Sequence, residues 1–460
     1  MNALDACVYI PFATSGSYPA REGNRVRPLV DGEPAFRRIC EAIENARHRV
    51  WAVVTFLWSE FKMPDGQGSF FDILDAAVAR GLEVLLIFWR PDPETIQWQR
   101  NAFWGSPEHR ALLVARNSGV QIRWDRAQPG FCQHQKIWLI DAGHEGETAF
   151  VGGINQNPRS MVAPGHRGEG HNHDVYVEIA GPSTVDVHHN FVQRWNEASE
   201  RHAVDGVWGT DARADLAFPT HLPIARGSSQ AQVQRTIHRG RYRNGHPTPG
   251  GEPFDIAEGE RSIVEQYVAA IGGARRSIYL ENHSVEVPEI IACLRAALTR
   301  GVEVVLLMPE NPDTAAPTAS SQPELRAFLD AWGEWEDWEN FTLAGIAGVG
   351  DDGTRKPVYV HAKLIVVDDA WASIGSCNLH RASLFGNAEM NVSCWDPAVV
   401  RGLRCELLAE HLGEDTARLD DRSALRRFRQ IAQENRRLWQ DGHAAWQGNA
   451  FSVNPATCGK

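Results

Sequence analysis

An internal repeat is the feature that most constrains how this chain can fold. The pattern H-x-K-x-x-x-x-D occurs twice, with its defined residues at His134, Lys136, Asp141, His361, Lys363 and Asp368. After each copy comes a small-residue turn that ends in asparagine, VGGIN at Asn155 and IGSCN at Asn378. Before each copy the same order of helix-like and strand-like stretches recurs, and RGLEVLLIF matches RGVEVVLLM closely enough to set the register. The chain is therefore predicted to contain two copies of one folding unit.

In both copies, helix-like segments alternate with strands rich in Val, Ile and Leu. This alternation predicts an α/β fold of two similar α/β/α sandwich domains, each with a mainly parallel mixed sheet. We expect a pseudo-twofold relation between the domains and an active site at their interface. For a chain of 460 residues, the expected domains are residues 1–215 and 216–420, followed by a C-terminal helix and tail at 421–460. The segment AQVQRTI is expected to form the first strand of the second copy.

The residues of the repeated motif suit chemistry at phosphorus. At the two-residue period of a strand, Tyr359, His361 and Lys363 share one face, while the opposite face is wholly apolar. Lysine and asparagine can donate to phosphate oxygens, and histidine can act as nucleophile or as general acid and base. Only five lysines occur among the 46 basic residues, and two of them lie in the motifs. If the copies face each other, both motifs converge on one phosphorus and support a two-step displacement through a phosphohistidine.

Each histidine needs a carboxylate on its second ring nitrogen to fix its orientation. Asp174 in HNHDVYVEI and Glu389 in GNAEMNVSC are the candidates. Asp141 and Asp368 lie at strand ends, where we expect them to brace turns or accept backbone N–H groups rather than to touch phosphate. The candidate catalytic residues are His134, Lys136, Asp141, Asn155, His361, Lys363, Asp368 and Asn378, supported by Asp174 and Glu389.

These motifs resemble the signature of the phospholipase D superfamily, and the resemblance extends from about Pro28 to Gly413. HDVYVEIAGPSTVDVHHNFVQRW, IYLENHS and LRCELLAEHLG resemble further blocks of phosphatidylcholine-hydrolysing phospholipases D. The resemblance implies one active site between two α/β/α domains, a phosphohistidine intermediate and no metal or other cofactor. It also implies that His134 attacks and that His361 is the general acid and base, although the sequence alone leaves these roles exchangeable.

Two departures from the family blocks leave the headgroup preference open. His283 and Ser284 replace the end of the I-Y-I-E-N-Q block, and the Arg-Ser pair after the second asparagine turn is here RAS, residues 381–383.

Three functions of this superfamily fit the motifs. The first is hydrolysis of glycerophospholipids to phosphatidate and a headgroup alcohol, with transphosphatidylation as a further reaction of the same intermediate. The second is phosphatidyl transfer of the cardiolipin synthase type, in which a lipid alcohol replaces water. The third is a nuclease, which the net charge of -12 disfavours because phosphate backbones are bound by clustered Lys and Arg. We therefore expect a phospholipid substrate, a water or alcohol acceptor and no nucleic acid, and the oligomeric state is left open.

A metal-dependent hydrolase is the rival from another class. The segment HRGEGHNHD offers His166, His171, His173 and Asp174 as ligand types. Loop histidines at this density are more often exposed to solvent than bound to metal, and the second copy has no matching cluster. We therefore expect these histidines to be exposed and the site to hold no metal.

The sequence predicts a cytoplasmic protein with peripheral membrane contact. The segment MNALDACVYI has no basic leader, and the longest apolar stretches are too short to cross a bilayer. The eight cysteines show no close pairing, which fits a reducing compartment. Several tryptophans suit a membrane interface, although packing in the core is the more frequent role of this residue. They are Trp58, Trp89, Trp98, Trp104, Trp332, Trp335 and Trp338.

Overall fold

The computed structural model describes residues 9–92, 102–310, 335, 338–443 and 445–454. Elements of the first half are β1 (Arg21–Val30), α1 (Gly32–Asn45), β2 (Arg49–Val54), α2 (Phe70–Ala79), β3 (Glu83–Trp89), α3 (Pro107–Ala115), β4 (Gln121–Asp125), β5 (Lys136–Ile140), β6 (Thr148–Gly152), β7 (Asn172–His173), β8 (Val175–Ala180), α4 (Thr184–Asn196) and β9 (Val207–Trp208).

Elements of the second half are β10 (Ser229–Ile237), β11 (Glu260–Arg261), α5 (Ser262–Gly273), β12 (Ser277–Glu281), α6 (Pro288–Thr299), β13 (Glu303–Leu307), β14 (Phe341–Val349), β15 (Arg355–Pro357), β16 (Tyr359–Val360), β17 (Leu364–Val367), β18 (Trp371–Gly375), α7 (Arg381–Phe385), β19 (Glu389–Cys394), α8 (Pro397–Leu412), α9 (Asp421–Gln440) and β20 (Ala450–Ser452). Strand β10 includes the segment AQVQRTI, as the sequence predicts.

The two halves have the same strand order. It is β1-β8-β6-β5-β2-β3-β4-β9 in the first half and β10-β19-β18-β17-β12-β13-β14-β20 in the second. The α/β class and the mixed sheet are confirmed, but parallel pairing is less extensive than expected. Along these orders only β2–β3–β4 and β12–β13–β14 pair in parallel. The other neighbours are antiparallel, because turns as short as residues 141–147 between β5 and β6 leave no room for the crossover helix that parallel strands require.

Both faces of the central strands are buried, which explains their continuous apolar sequences. In β2, Trp51 and Val53 point to a core shared by the two halves, and Val50, Ala52 and Val54 point to a core under α1 and α2. In the second half, β17 divides its side chains in the same way between the shared core and a core under α5 and α6. The sheets also join edge to edge, because β1 pairs with β10 in antiparallel orientation.

Helix α9 is the predicted amphipathic C-terminal helix, and Leu425 and Phe428 on its buried face pack into the shared core. Trp89 and Trp335 are buried, which favours the core role of these tryptophans, while Trp98 and Trp332 lie outside the described residues. Within the described ranges, no helix combines the length and the apolar character that a membrane span requires. Contact with a membrane surface stays a prediction.

Candidate active site

His134 lies two residues before β5 begins, and residues of the second half hold it there. Its backbone N–H donates to the carbonyl of Ala388 at 2.8 Å, and its ring Nδ1 lies 2.9 Å from Oε2 of Glu389. Glu389 is fully buried and also accepts hydrogen bonds from the hydroxyls of Ser376 and Ser383, both at 2.6 Å. The first-half histidine therefore depends on a second-half carboxylate for its orientation.

The same arrangement occurs around His361 with the halves exchanged. The backbone N–H of His361 donates to the carbonyl of His173 at 2.8 Å, and its ring Nδ1 lies 2.6 Å from Oδ2 of Asp174. Since Nδ1 of each catalytic candidate faces a carboxylate, Nε2 of each imidazole is the nitrogen left to react. The pairing is crossed, so each carboxylate serves the histidine of the other half.

Both motif lysines fold back onto their own strands. Lys136 Nζ donates to the carbonyl of His134 at 2.8 Å, and Lys363 Nζ donates to the carbonyl of His361. Gly153, in the first asparagine turn, allows Lys363 to pass: a Cβ there would lie 3.0 Å from Lys363 Cδ and 2.3 Å from Asp174 Oδ1. The second-half lysine therefore reaches the first-half turn.

Burial dominates the electrostatics of this cluster. The pKa of His134 is lowered to about 4 and that of His361 to about 4, mainly by burial and also by the charges of both motif lysines, while Glu389 and Asp174 oppose the shift. Burial likewise lowers the pKa of Lys136 to about 7 and that of Lys363 to about 8. Both imidazoles are then neutral near pH 7, and the positive charge of the cluster lies on the two lysines, beside the carboxylates of Glu389 and Asp174. An anionic phosphate would favour the charged forms of all four groups.

The carboxylate of Glu389 stays ionised in this setting. Burial raises its pKa, but the interactions with His134, the charge of Lys136 and the hydrogen bond from Ser376 outweigh burial and lower the pKa below its usual value. A permanently charged carboxylate can stabilise positive charge that develops on the imidazole.

The turn asparagines are buried and keep part of their hydrogen-bonding capacity. Asn155 is 7% exposed and Asn378 is 5% exposed. Within the described part of the chain, the Oδ1 atom of each has no hydrogen-bond partner, while Asn378 Nδ2 lies 3.3 Å from Nε2 of His380. Their side chains are thus placed to turn toward a bound ligand.

Asp141 and Asp368 lie at the opposite ends of their strands from the histidines, about 20 Å along the extended chain. The carboxylate of Asp141 accepts hydrogen bonds from the backbone N–H groups of residues 47–49, between 2.7 and 3.1 Å. Asp368 does the same for residues 275–277, between 2.7 and 2.8 Å. Both residues fix the start of the neighbouring strand, β2 or β12, and both have positive φ, 53° and 56°.

Two further histidines lie beside His361. The ring of His283 is stacked on His361 with centroids 6.2 Å apart, and His380 meets His283 edge-on at 5.7 Å. Burial and the charges of neighbours such as Lys363 lower the pKa of His283 well below its usual value. In the sequence His283 stood out only as a departure from a family block, and His380 had no signal. Ser376, which bonds Glu389, was also missed.

The expectation that the loop histidines are exposed is wrong for two of the three. His166 and His173 are 1% and 0% exposed, and His171 is half-buried. The loop before β8 folds under α8 and faces buried carboxylates, which local sequence does not reveal. Asp174 is directed instead to His361.

Comparison with known proteins identifies the family of this chain. A family model described as "Cardiolipin synthase, PLD-like domain" matches residues 39–195 and 267–410, one range for each copy of the motif. The chain belongs to this family. It is therefore a member of the phospholipase D superfamily, as the motifs predict, and an enzyme of the phosphodiesterase and phosphatidyltransferase class.

Cardiolipin synthases are among the similar curated proteins. The chain is 26% identical to cardiolipin synthase A of Pseudomonas entomophila over 396 residues, which cover 83% of this chain and 67% of the relative. It is 25% identical to cardiolipin synthase A of Pseudomonas aeruginosa over 437 residues, 91% and 74% of the two chains. The structure of phosphatidylserine synthase from Haemophilus influenzae aligns with a TM-score of 0.51 and 13% identity over 83% of this chain and 84% of that one, which shows a common fold.

Proposed function

We propose that this enzyme is a phosphatidyltransferase of the cardiolipin synthase type. The observation that carries the proposal is the doubled, crossed histidine–carboxylate pair, His134 with Glu389 and His361 with Asp174. Two oriented imidazoles are what a two-step displacement at phosphorus requires, one to attack and one to move protons. The sequence places hydrolysis first and phosphatidyl transfer second, and the cardiolipin synthase relatives favour transfer.

In the first step, Nε2 of His134 attacks the phosphorus of a phospholipid. A P–N bond forms, the P–O bond to the headgroup breaks, and His361 in its protonated form gives its Nε2 proton to the leaving alkoxide. The negative phosphate supplies the charge that favours a protonated His361, because the free site holds both imidazoles neutral. The products of this step are a phosphatidyl-histidine and a free headgroup alcohol.

In the second step, His361, now neutral, removes a proton from the hydroxyl of the acceptor. The acceptor oxygen attacks phosphorus, the P–N bond breaks and His134 regains its lone pair. Cardiolipin contains two phosphatidyl groups joined by glycerol, so its synthesis requires a glycerol hydroxyl of a second lipid as the acceptor. Water in that position would release phosphatidate instead.

Lys136 and Lys363 hold the non-bridging oxygens of the phosphate in this scheme, and Asn155 and Asn378 donate from their amide groups. All four side chains are nearly excluded from solvent, where electrostatic interactions with developing charge are stronger than in water. His283 lies next to His361, and His380 lies next to His283 and Asn378, so both are candidates for contact with the leaving or accepting alcohol.

The test is incubation with vesicles of phosphatidylglycerol, with and without ethanol, followed by mass spectrometry of the lipids. Transfer predicts cardiolipin and free glycerol from phosphatidylglycerol alone, and phosphatidylethanol when ethanol is present. Phosphatidate as the sole lipid product, with ethanol as well as without it, would show a hydrolase rather than a transferase. The control is His134→Ala, which should form neither cardiolipin nor phosphatidylethanol.

A further inference from the structure

A second group of buried histidines and carboxylates lies directly behind Asp174. It consists of Asp31 directly after β1, His166 in the loop before β7, His173 in β7, and Glu410 in α8. One ligand atom from each of these residues lies within 4.8 Å of every other. The group joins three segments that are distant in sequence and draws on both halves of the chain.

The distances within the group match a tetrahedral metal site. His166 Nε2 lies 3.2 Å from Asp31 Oδ2, 3.2 Å from Glu410 Oε1 and 3.3 Å from His173 Nδ1. Zinc bonds to nitrogen and oxygen are about 2.0–2.2 Å long, so adjacent ligand atoms of a tetrahedron are about 3.3–3.5 Å apart. The three distances from His166 Nε2 lie close to that range, whereas His173 Nδ1 and Asp31 Oδ1 are 2.9 Å apart, the distance of a hydrogen bond. A bound ion would replace that hydrogen bond and separate the two atoms by a few tenths of an ångström.

Hydrogen bonding alone does not satisfy these atoms. One ring nitrogen carries at most one hydrogen, so His166 Nε2 cannot donate to Asp31 and Glu410 together. Asp31 is 0% exposed, and its Oδ2 accepts no hydrogen bond from any residue that the structure describes. A cation at the centre would bind both carboxylates and both imidazole lone pairs at once.

The charges of the group are compatible with a bound cation. Asp31 and Glu410 form ion pairs with His166 and His173, and within the described ranges neither forms one with Lys or Arg. Burial lowers the pKa values of His166 and His173, but the charge of Asp31 outweighs burial and raises both, so protonated imidazoles balance the carboxylates when no metal is bound. A divalent cation would replace these protons and leave both histidines neutral, the form in which they bind metals.

The surroundings of the ligands have the form found around metal sites. His173 points its other nitrogen, Nε2, at Oε2 of Glu281 at 3.1 Å. Metal-bound histidines usually direct the second ring nitrogen at a carboxylate in this way, which fixes the tautomer and the ring orientation. The backbone N–H of Gly165 donates to Glu410 Oε1 at 3.0 Å and orients that carboxylate.

We propose that Asp31, His166, His173 and Glu410 bind one divalent transition-metal ion, for which the tetrahedral spacing favours Zn²⁺. Four protein ligands close the site, so the ion is structural and does not bind substrate. This proposal departs from the absence of metal that the family resemblance implies, and it does not depend on which acceptor the enzyme uses.

The ion would position one half of the catalytic machinery. The backbone N–H of Asp31 donates to the carbonyl of Asp174 at 2.8 Å, and the carbonyl of His173 accepts from the backbone N–H of His361 at 2.8 Å. Two of the proposed ligands thus contact the Asp174–His361 pair through the backbone. Loss of the ion would loosen this pair while leaving the His134–Glu389 pair, which has other contacts, in place.

The test is elemental analysis of the full chain, purified without chelators and without a histidine tag. We expect about one zinc or other first-row divalent ion per chain in the wild type and in His171→Ala, whose histidine lies in the same loop outside the group. His166→Ala should lose the ion. A wild-type chain without metal that also fails to bind Zn²⁺ in competition with a chromophoric chelator would overturn the proposal, as would loss of metal in His171→Ala.

A second measurement covers the case in which His166→Ala does not fold. The wild-type protein treated with a strong chelator should show a lower Tm, and added Zn²⁺ should restore it. Replacement by Co²⁺ should give the intense visible bands of tetrahedral cobalt. A Tm that is unaffected by chelation, after the metal has been shown to be removed, would refute the bracing role, and bands typical of six-coordinate cobalt would refute the tetrahedral site.

Discussion

Glu389→Gln tests whether the crossed carboxylate supports catalysis, because it removes the charge and nearly keeps the shape. The Oε2 atom of Glu389 accepts from His134 and Ser376, and Oε1 accepts from Ser383 and Asn387. A glutamine nitrogen cannot accept hydrogen bonds, so one of these two pairs of donors loses its acceptor. If the nitrogen faces His134, it can donate to Nδ1 and so favours the tautomer with the proton on Nε2, the atom that attacks phosphorus; the carbonyl of Ser376, 3.1 Å from Nδ1, is then the one acceptor left near that nitrogen among the described residues.

The expected loss of activity follows from these contacts. If the nitrogen faces away from His134, the bond to His134 survives without its charge. A hydrogen bond to a charged group contributes about 1.5–3 kcal/mol, and each 1.4 kcal/mol is about tenfold in rate. We therefore expect kcat to fall about 10- to 150-fold, and further if the tautomer changes.

The assay is the rate of phosphatidyl transfer at saturating phospholipid, with Tm measured on the same preparations. Ser383→Ala is the matched control, because it removes a neutral donor from the same carboxylate, and it should cost less than about tenfold in kcat. Glu389→Gln with kcat within about twofold of the wild type would refute the role of this carboxylate. A fall of equal size in Ser383→Ala would indicate that packing, rather than charge, is what matters.

Further predictions concern the histidines, one turn aspartate and the lysines. His134→Ala should abolish turnover without lowering Tm. His361→Ala should accumulate a phosphatidyl group on His134 when the substrate is a nitrophenyl ester of phosphatidate, because that leaving group needs no proton. Peptide mass spectrometry detects the modified histidine. Asp141→Ala should lower the free energy of unfolding by about 2–5 kcal/mol in denaturant titration, with kcat preserved, because three backbone N–H groups lose their acceptor. The pKa values of Lys136 and Lys363 are lowered, so both lysines lose their charge as pH rises, and kcat/KM should fall above about pH 7 to 8. In Lys136→Arg the side chain stays charged, so the midpoint of this fall should move toward the pKa of Lys363. A midpoint that does not move would contradict this.

The sequence predicted what depends on local pattern and repetition. Spacing alone located the two H-x-K motifs, the asparagine turns and the strand β10, because strand period and duplication are visible without a structure. The parallel share of the sheets was overestimated, since the alternation of helices and strands early in each copy does not continue through β5, β6 and β8. The change from parallel to antiparallel pairing follows from the short connections between these strands. Connection length is harder to read from the sequence than the hydrophobic period of a helix or strand.

Contacts between distant segments were beyond the sequence. Asp174 and Glu389 were found as acids beside strands, but nothing in their spacing indicates which histidine each one meets. The group around His166 was judged by the polarity of its loop, and its burial depends on Asp31 and Glu410, which lie far away in the chain. A polar loop sequence therefore predicts exposure to solvent only when no buried polar partner contacts the loop in the folded protein.

The duplication explains the site's symmetry, but the reaction requires the two histidines to differ, and the structure provides that difference in the carboxylates. Glu389 divides its charge among four donors, including the hydroxyl of Ser376. Gly153 occupies the equivalent position in the first half and has no hydroxyl, and among the described residues no serine shares the oxygen of Asp174 that meets His361 at 2.6 Å. A less divided charge at a shorter distance stabilises an imidazolium more strongly. This difference is consistent with the proposed roles, in which His361 holds the proton once phosphate is bound and a neutral His134 attacks, although burial lowers the pKa of both to about 4 in the free protein.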